Sequence, residues 1–332
     1  MEPNFNDYVA LIYNRFEAFA QSKASTKMGH PYDYKQQEML VFFMWMQFKK
    51  MYEFKAQWRW LKQHPEAVKR LGWDRVPHRT SLSRRYKDLY PVIQDLIAFL
   101  GETSEMLGET TNHQHLNEDK SLFKALGPVW HQSDRKVGRV PEKLRHLDQD
   151  ATWSKSAYHG WVYGYGIHLT SNAAGFPCLL EVETATFSER AAVDRKEETI
   201  LHRLQPDTFC GDDAYTKASR IRRWAKQGVI LVTPALRWRT GRYAQTYRRF
   251  IKRERDIAAI LRQRRTAIEP IFDLIARLIG TVGKQKQLFK QGIANVRTHL
   301  ALAVLSLQFA MLANSVWQMS FRNISCIKGA FA

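Results

Sequence analysis

Residues 209–215 read FCGDDAY. With Thr208 in front, the apolar pair Phe209 and Cys210 reads as the end of a short buried strand running into Gly211. Side chains alternate along a strand, so if the extended backbone continues, Asp212 and Asp213 face opposite ways. At most one of them then points at a shared site. A pair of aspartates behind a strand is also the ordinary makings of a turn or a helix cap. The meaning of the pair therefore depends on what lies to either side.

On the N-terminal side, WVYGYGIHLT (161–170) and PCLLEVETAT (177–186) read as adjacent strands joined by the turn SNAAGF. SERAAVDRKEETILHRL (188–204) has the spacing of an amphipathic helix. On the C-terminal side, YTKASRIRRWAKQG predicts a helix ended by Gly228, and VILVTPA (229–235) predicts a buried strand. Long helical regions follow over 244–280 and 292–317. A first strand placed near 119–130 completes the order strand, strand, strand, helix, strand, helix, strand. That is the ribonuclease-H-like order: an α/β domain with a mixed five-stranded sheet flanked by helices.

Residues 1–100 have a different texture. Tyr8, Leu11, Ile12, Phe16 and Phe19 recur at helical spacing, and QEMLVFFMWMQFKKMYEF (37–54) is apolar nearly all round. A short helix, a turn at GWDRVP and a second helix N-capped near Thr80 or Ser81 predict a helix-turn-helix-like pair. Its second helix opens with Arg84, Arg85 and Lys87, which are candidate DNA contacts. Residues 101–118 are polar and read as a linker. The expected division is a helical DNA-binding domain over 1–112 and a catalytic domain over 113–332. Residues 298–321 carry no Asp, Glu, Lys or Arg, but Gln308 and Asn314 interrupt the run, which predicts a buried helix rather than a membrane span.

The chain has 51 Lys and Arg against 32 Asp and Glu, a net charge of +19, which points to a polyanionic partner. The basic excess is densest over 236–265, with eleven Lys and Arg against Glu254 and Asp256. Arg237, Arg239, Arg242, Arg248, Arg249, Lys252 and Arg262 belong to this stretch, with Trp238, Tyr243, Tyr247 and Phe250 interleaved. Charge with aromatics suits a DNA backbone and an unpaired base. Cys178, Cys210 and Cys326 have no metal-ligand spacing and read as buried free thiols in a reducing compartment.

In a ribonuclease-H-like order, an acid on the first strand meets one at the end of the fourth, and a third arrives from a later helix. Three carboxylates can hold two Mg²⁺ ions about 4 Å apart for in-line attack on a phosphate. Carboxylates are needed because Mg²⁺ is a hard cation that selects oxygen. The fourth-strand acid is one of the FCGDDAY pair. The helix acid is Glu269 in LRQRRTAIEPIFDLIARL, on the border of a stripe of Ile268, Ile271, Phe272, Ile275 and Leu278. Arg265 shares its face, four residues earlier. Pro270 should kink the helix or mark its first turn. Pattern alone leaves Glu118, Asp119, Asp148 and Asp150 open as the first-strand acid.

Four motifs in order now resemble those of DDE transposases of bacterial insertion sequences, the cut-and-paste group. DKSLFKALGPVWH resembles the first-aspartate segment, and WVYGYGIHL the Tyr-Gly-Tyr-Lys-x-His strand. GDDAY resembles the Asp-x-Gly-Tyr segment, and RRTAIEPIF the Arg-x-x-x-Glu helix. The resemblance implies a triad of Asp119, Asp212 and Glu269 holding Mg²⁺ (or Mn²⁺), with Asp148 as the rival first acid and Arg265 positioning Glu269 or a phosphate. It also implies double-stranded DNA as partner, both element ends and target. A homo-oligomer on DNA and a cytoplasmic, nucleoid-associated location follow, with no membrane. The departures are Ala214 at the usual glycine, Arg262 at the usual tyrosine, Ala276 at the usual lysine after the glutamate and Gly166 at the strand lysine. A non-catalytic DNA-binding regulator, a decayed transposase and a nuclease that cuts without joining are the alternatives.

Overall fold

Strand β3 (Gly160–Asn172) organises the protein. From Val162 onward every residue is buried, so both faces of the strand are covered. Three strands lie against it. β1 (His115–Lys124) pairs antiparallel along Gly164–Asn172, β2 (Thr152–Ser156) along Gly160–Gly164 and β4 (Pro177–Thr184) along Tyr165–Ser171. A Cβ at Gly164 would fall 1.9 Å from the Phe123 carbonyl oxygen, so the β1–β3 approach requires glycine there. On its other edge, β1 pairs in parallel with β5 (Thr208–Cys210), which pairs in parallel with β6 (Ile230–Val232). The computed structural model describes residues 2–23, 33–103, 114–156, 160–234, 257–281 and 286–332.

Setting β2 aside, the order β4-β3-β1-β5-β6 is a mixed sheet compatible with a ribonuclease-H-like α/β domain. Helices α7 (Glu189–Thr199) and α8 (Ala218–Lys226) connect its parallel strands, and Gly228 ends the second connection with a φ of +84°. A short α6 (Gln132–Lys136) precedes β2. Helix α9 (Ile257–Leu278) lies against β1, and α10 (Ile293–Val316) and α11 (Ser325–Ala330) complete the chain.

The N-terminal helices are α1 (Phe5–Ser22), α2 (Gln36–Phe48), α3 (Phe54–Gln63), α4 (Pro65–Arg70) and α5 (Arg79–Thr103). The pair expected to be helix-turn-helix-like falls on α4 and α5, and Arg84 and Lys87 are exposed on α5. Arg85 instead donates to the Tyr34 carbonyl at 3.2 Å. Farther along, α5 docks on the sheet. Tyr90 Oη accepts from the Val182 amide at 3.0 Å, and Gln94 Nε2 donates to the Leu180 carbonyl at 2.7 Å. The division at 112/113 falls between α5 and β1, yet buried residues from both sides form one apolar cluster.

The apolar C-terminal helix is the centre of that cluster. It is long and apolar enough to cross a membrane, but 89% of its apolar window is buried inside the fold. Gln308, which interrupts the apolar run, bridges two elements: its Nε2 donates to the Ile97 and Pro177 carbonyls at 3.0 and 2.8 Å. The three cysteines are buried thiols, none of them in a disulfide.

Two expectations need correction. The linker expected over 101–118 is partly secondary structure, since α5 runs to Thr103 and β1 begins at His115. The first strand is thus 115–124 rather than near 119–130. Its opening looked like a linker because Asn117 and Glu118 are polar; both are buried and hydrogen-bonded. β2 has no counterpart in the expected strand order.

Candidate active site

The sheet register brings two acids together. Asn117 and Cys210 are the last paired residues of the parallel β1–β5 ladder. Asp119 and Asp212 each lie two residues farther along, so they are neighbours with the same facing as that pair. The Gly211 amide donates to the Val232 carbonyl at 3.0 Å and holds the chain beside β6 one residue longer. Then it turns. Asp212 caps a single 3₁₀ turn over Asp213–Tyr215, accepting from the Ala214 amide at 2.9 Å. Asp212 is therefore a cap as well as a site candidate, and Asp213 is exposed at the start of the turn.

Asp119 is the more crowded acid. Its Oδ1 accepts from the Lys120 amide at 2.9 Å, and Arg264 Nη1 lies 3.0 Å from its Oδ2. Burial pushes its carboxyl up to about 6, against the pull of Arg264 and the Lys120 amide. The charges of Asp212 and Glu269 push in the same direction as burial. Asp212 is likewise raised, by burial first and by Glu189 and Asp213 among its neighbours. Glu269, exposed on α9, thus lies within electrostatic reach of Asp119. Pro270 sits inside α9 rather than in its first turn.

The arginine that meets the acids is Arg264, not Arg265. Arg265 is exposed, whereas Arg264 is 8% exposed and ion-paired with Asp119. The pairing is off-line, and Arg264 Nε and Nη1 have no hydrogen-bond partner among the described residues. A helix-phase signal was available: Arg264 stands four residues before Ile268 and so lies on the apolar stripe. Lys120 is a second basic residue beside the acids that no motif marks. It points to the other face of β1, donating to the Ala185 and Phe187 carbonyls at 2.9 and 2.8 Å. A Cβ at Gly166 would come 2.9 Å from its Cε, so the space at the position of the resembling strand lysine holds the lysine of β1 instead.

The rival first acid has a different occupation. Asp148 Oδ1 accepts from Tyr165 Oη at 2.8 Å and Oδ2 from the Gly292 amide at 3.1 Å. Asp150 Oδ2 accepts from the Ile293 amide at 2.9 Å. Together they satisfy amides at the start of α10, where a negative charge is favourable.

Carboxylate oxygens crowded by like charge suit a hard divalent cation in kind. In arrangement they do not close around one: among the described residues, no group of three or more His, Cys, Asp or Glu stands close enough to hold a metal ion. Arg264 supplies the positive charge at Asp119 instead. Of the DNA candidates, Arg262 is exposed on α9, while Arg237, Arg239, Arg242, Arg248, Arg249 and Lys252 lie outside the described residues.

The sheet order, with Asp119 and Asp212 on neighbouring strand ends, is compatible with a ribonuclease-H-like domain. The transposase DDE domain family matches residues 131–281, which supports a DDE transposase of an insertion element. The match takes in Asp212 and Glu269 and begins after Asp119. No curated protein and no solved structure gave a match.

Proposed function

We propose that the protein cuts DNA at the ends of an insertion element and joins the freed ends to a target, in a reaction dependent on Mg²⁺ or Mn²⁺. The observation that carries this reading is the β1–β5 register, which sets Asp119 beside Asp212 with the charge of Glu269 in reach. Asp119, Asp212 and Glu269 are the carboxylates that would hold the cation, once drawn closer together than they stand here, and the cation when bound would supply Lewis-acid stabilisation of the phosphate. Arg264 would release Asp119 as positive charge arrives, and the ribonuclease-H-like sheet would keep the two aspartates in place. In the cutting step water attacks phosphorus, the bond to the 3′ oxygen breaks and that oxygen takes a proton. In the joining step the freed 3′-OH attacks a target phosphorus and displaces the target's own 3′ oxygen.

The α4–α5 pair, with Arg84, Arg85 and Lys87, would read element ends. The basic stretch from Arg237 to Arg262 would clamp the backbone. Two ends must be held together for transposition, which favours a homo-oligomer on DNA, in the cytoplasm at the nucleoid. A duplex with labelled element ends, incubated with Mg²⁺ and target plasmid, tests the reading. Cleaved ends and joined products are expected, and cleavage without joining would make the protein a nuclease instead. A second reading, a DNA-binding regulator without catalysis, is favoured by the Arg264–Asp119 ion pair. End-specific binding without any cut product would establish it.

A further inference from the structure

Pro270 follows Glu269 inside α9. Proline has no N–H, so the carbonyl four residues back, that of Thr266, loses its helical partner. A carbonyl freed in this way needs another donor or the helix bends there. Arg322 is that donor. Its Nη1 donates to the Thr266 carbonyl at 3.0 Å and its Nη2 to the Ala267 carbonyl at 3.4 Å. The same Nη2 donates to the Ala174 carbonyl at 2.7 Å, in the turn between β3 and β4. At Gly175 in that turn φ is +85°, and an added Cβ would lie 2.6 Å from both the Ala267 oxygen and Arg322 Nη2. The turn closes on α9 only because it carries glycine.

Arg322 is itself held. Asn314, fully buried near the end of α10, donates from Nδ2 to the Phe321 and Asn323 carbonyls at 3.0 and 2.8 Å. These are the carbonyls on either side of Arg322. A continuous set of contacts thus runs from the central helix through Asn314 and Arg322 to the helical turn that ends at Glu269. On the sheet side it reaches Ala174 in the turn that follows β3, the strand whose Leu169 is paired with Asp119.

We propose that Arg322 is the positioning residue of Glu269. One guanidinium replaces the hydrogen bond that Pro270 removes, and it ties the turn bearing the third acid to the β3–β4 turn, whose strand β3 pairs with the strand bearing the first. Arg322 lies outside the stretch matched by the DDE domain family. The inference rests on the reading of Glu269 as a site acid, so its test has an arm that does not depend on catalysis.

The variants are Arg322→Ala, Arg322→Lys, Pro270→Ala and the double variant Pro270→Ala with Arg322→Ala, each as the full chain. Two quantities are read: the single-turnover cleavage rate alongside DNA affinity, and hydrogen exchange of the amides over residues 266–272. Arg322→Ala should slow cleavage by roughly 10- to 100-fold at unchanged DNA affinity, the scale of a small misplacement of a reacting group. Arg322→Lys, which keeps one donor, should recover part of the rate. In the Pro270→Ala background an N–H again faces the Thr266 carbonyl, so the same Arg322→Ala change should slow cleavage much less. Exchange over 266–272 should accelerate in Arg322→Ala and return toward wild type in the double variant. Equal losses from Arg322→Ala in the wild-type and Pro270→Ala backgrounds, or exchange unmoved by Arg322→Ala, would overturn the proposal. If Arg322→Ala does not fold, Arg322→Lys compared with and without Pro270 decides on the same two readouts. A Glu269→Gln variant that cuts like wild type would instead remove the reading of the site, while the exchange result still decides the clamp.

Discussion

Glu118 and Asp119 are consecutive residues of one strand with opposite circumstances. Glu118 faces α7, is fully buried, and accepts from Lys196 Nζ and Thr170 Oγ1, each at 2.5 Å. Asp119 faces α9, with an off-line arginine and two further acids whose charges oppose its ionisation. The first environment is complete: a buried charge meets its counter-charge and a hydroxyl. In the second, Arg264 Nε and Nη1 have no hydrogen-bond partner among the described residues, and the charges of Asp212 and Glu269 oppose that of Asp119. Burial alone therefore does not separate the two acids. What separates the two is whether the surroundings already satisfy the charge.

The contrast can be broken from either side, and the largest effect should come from Asp119 or Asp212. Asp119→Asn and Asp212→Asn should each reduce end cleavage by about 10⁴-fold or more, as expected when one member of a catalytic unit is removed. DNA binding, followed by gel shift, should be retained. Glu118→Ala should act on stability instead. It leaves Lys196 charged and buried without its partner, which costs about 3–5 kcal/mol in urea unfolding. Little loss on that substitution would show that the pair is not as closed as its geometry indicates.

A smaller effect concerns pH. The Asp119 carboxyl is raised from 3.8 to about 6 in the folded protein. An unfolded chain ionises this group first, so wild type should lose stability relative to Asp119→Asn as pH rises from about 4 to about 6. Above that window the difference should be constant. Denaturation midpoints measured across the range check the sign, and an opposite slope would mean that Arg264 outweighs burial. The smallest effect should come from Asp148→Asn, which weakens contacts at the start of α10 and should cost on the order of 1 kcal/mol, as a lost helix cap does. Cleavage by this variant should match wild type once stability is allowed for. A catalytic loss as deep as that of Asp119→Asn would restore Asp148 as the first acid.

Much of this arrangement was legible in the residues. The runs that became β3, β4, α7 and α10 have periodicity or unbroken apolarity, and Gly228 ends its helix as its position implied. Strand alternation was the expected cause of the split in the FCGDDAY pair, but β5 ends at Cys210, and the turn capped by Asp212 is what leaves Asp213 exposed. The start of β1 was hidden because strands are sought as apolar patterns, whereas Glu118 enters the core by pairing with Lys196, 78 residues away. The Arg-x-x-x-Glu spacing points to Arg265, whereas the arginine beside Asp119 is its neighbour Arg264. The apolar stripe, a purely local signal, already placed Arg264 on the inward face. The role of Arg322 could not be read at all, since it depends on a carbonyl 56 residues away that is free only because of Pro270.

The most direct measurement is cleavage of a labelled element-end duplex in Mn²⁺ by Asp119→Asn and by Glu118→Gln, at matched DNA occupancy and at a temperature where both are folded. A site on the α9 face of β1 requires that Asp119→Asn produce no cut strand while Glu118→Gln still cuts. Cutting by Asp119→Asn at the wild-type rate would contradict it.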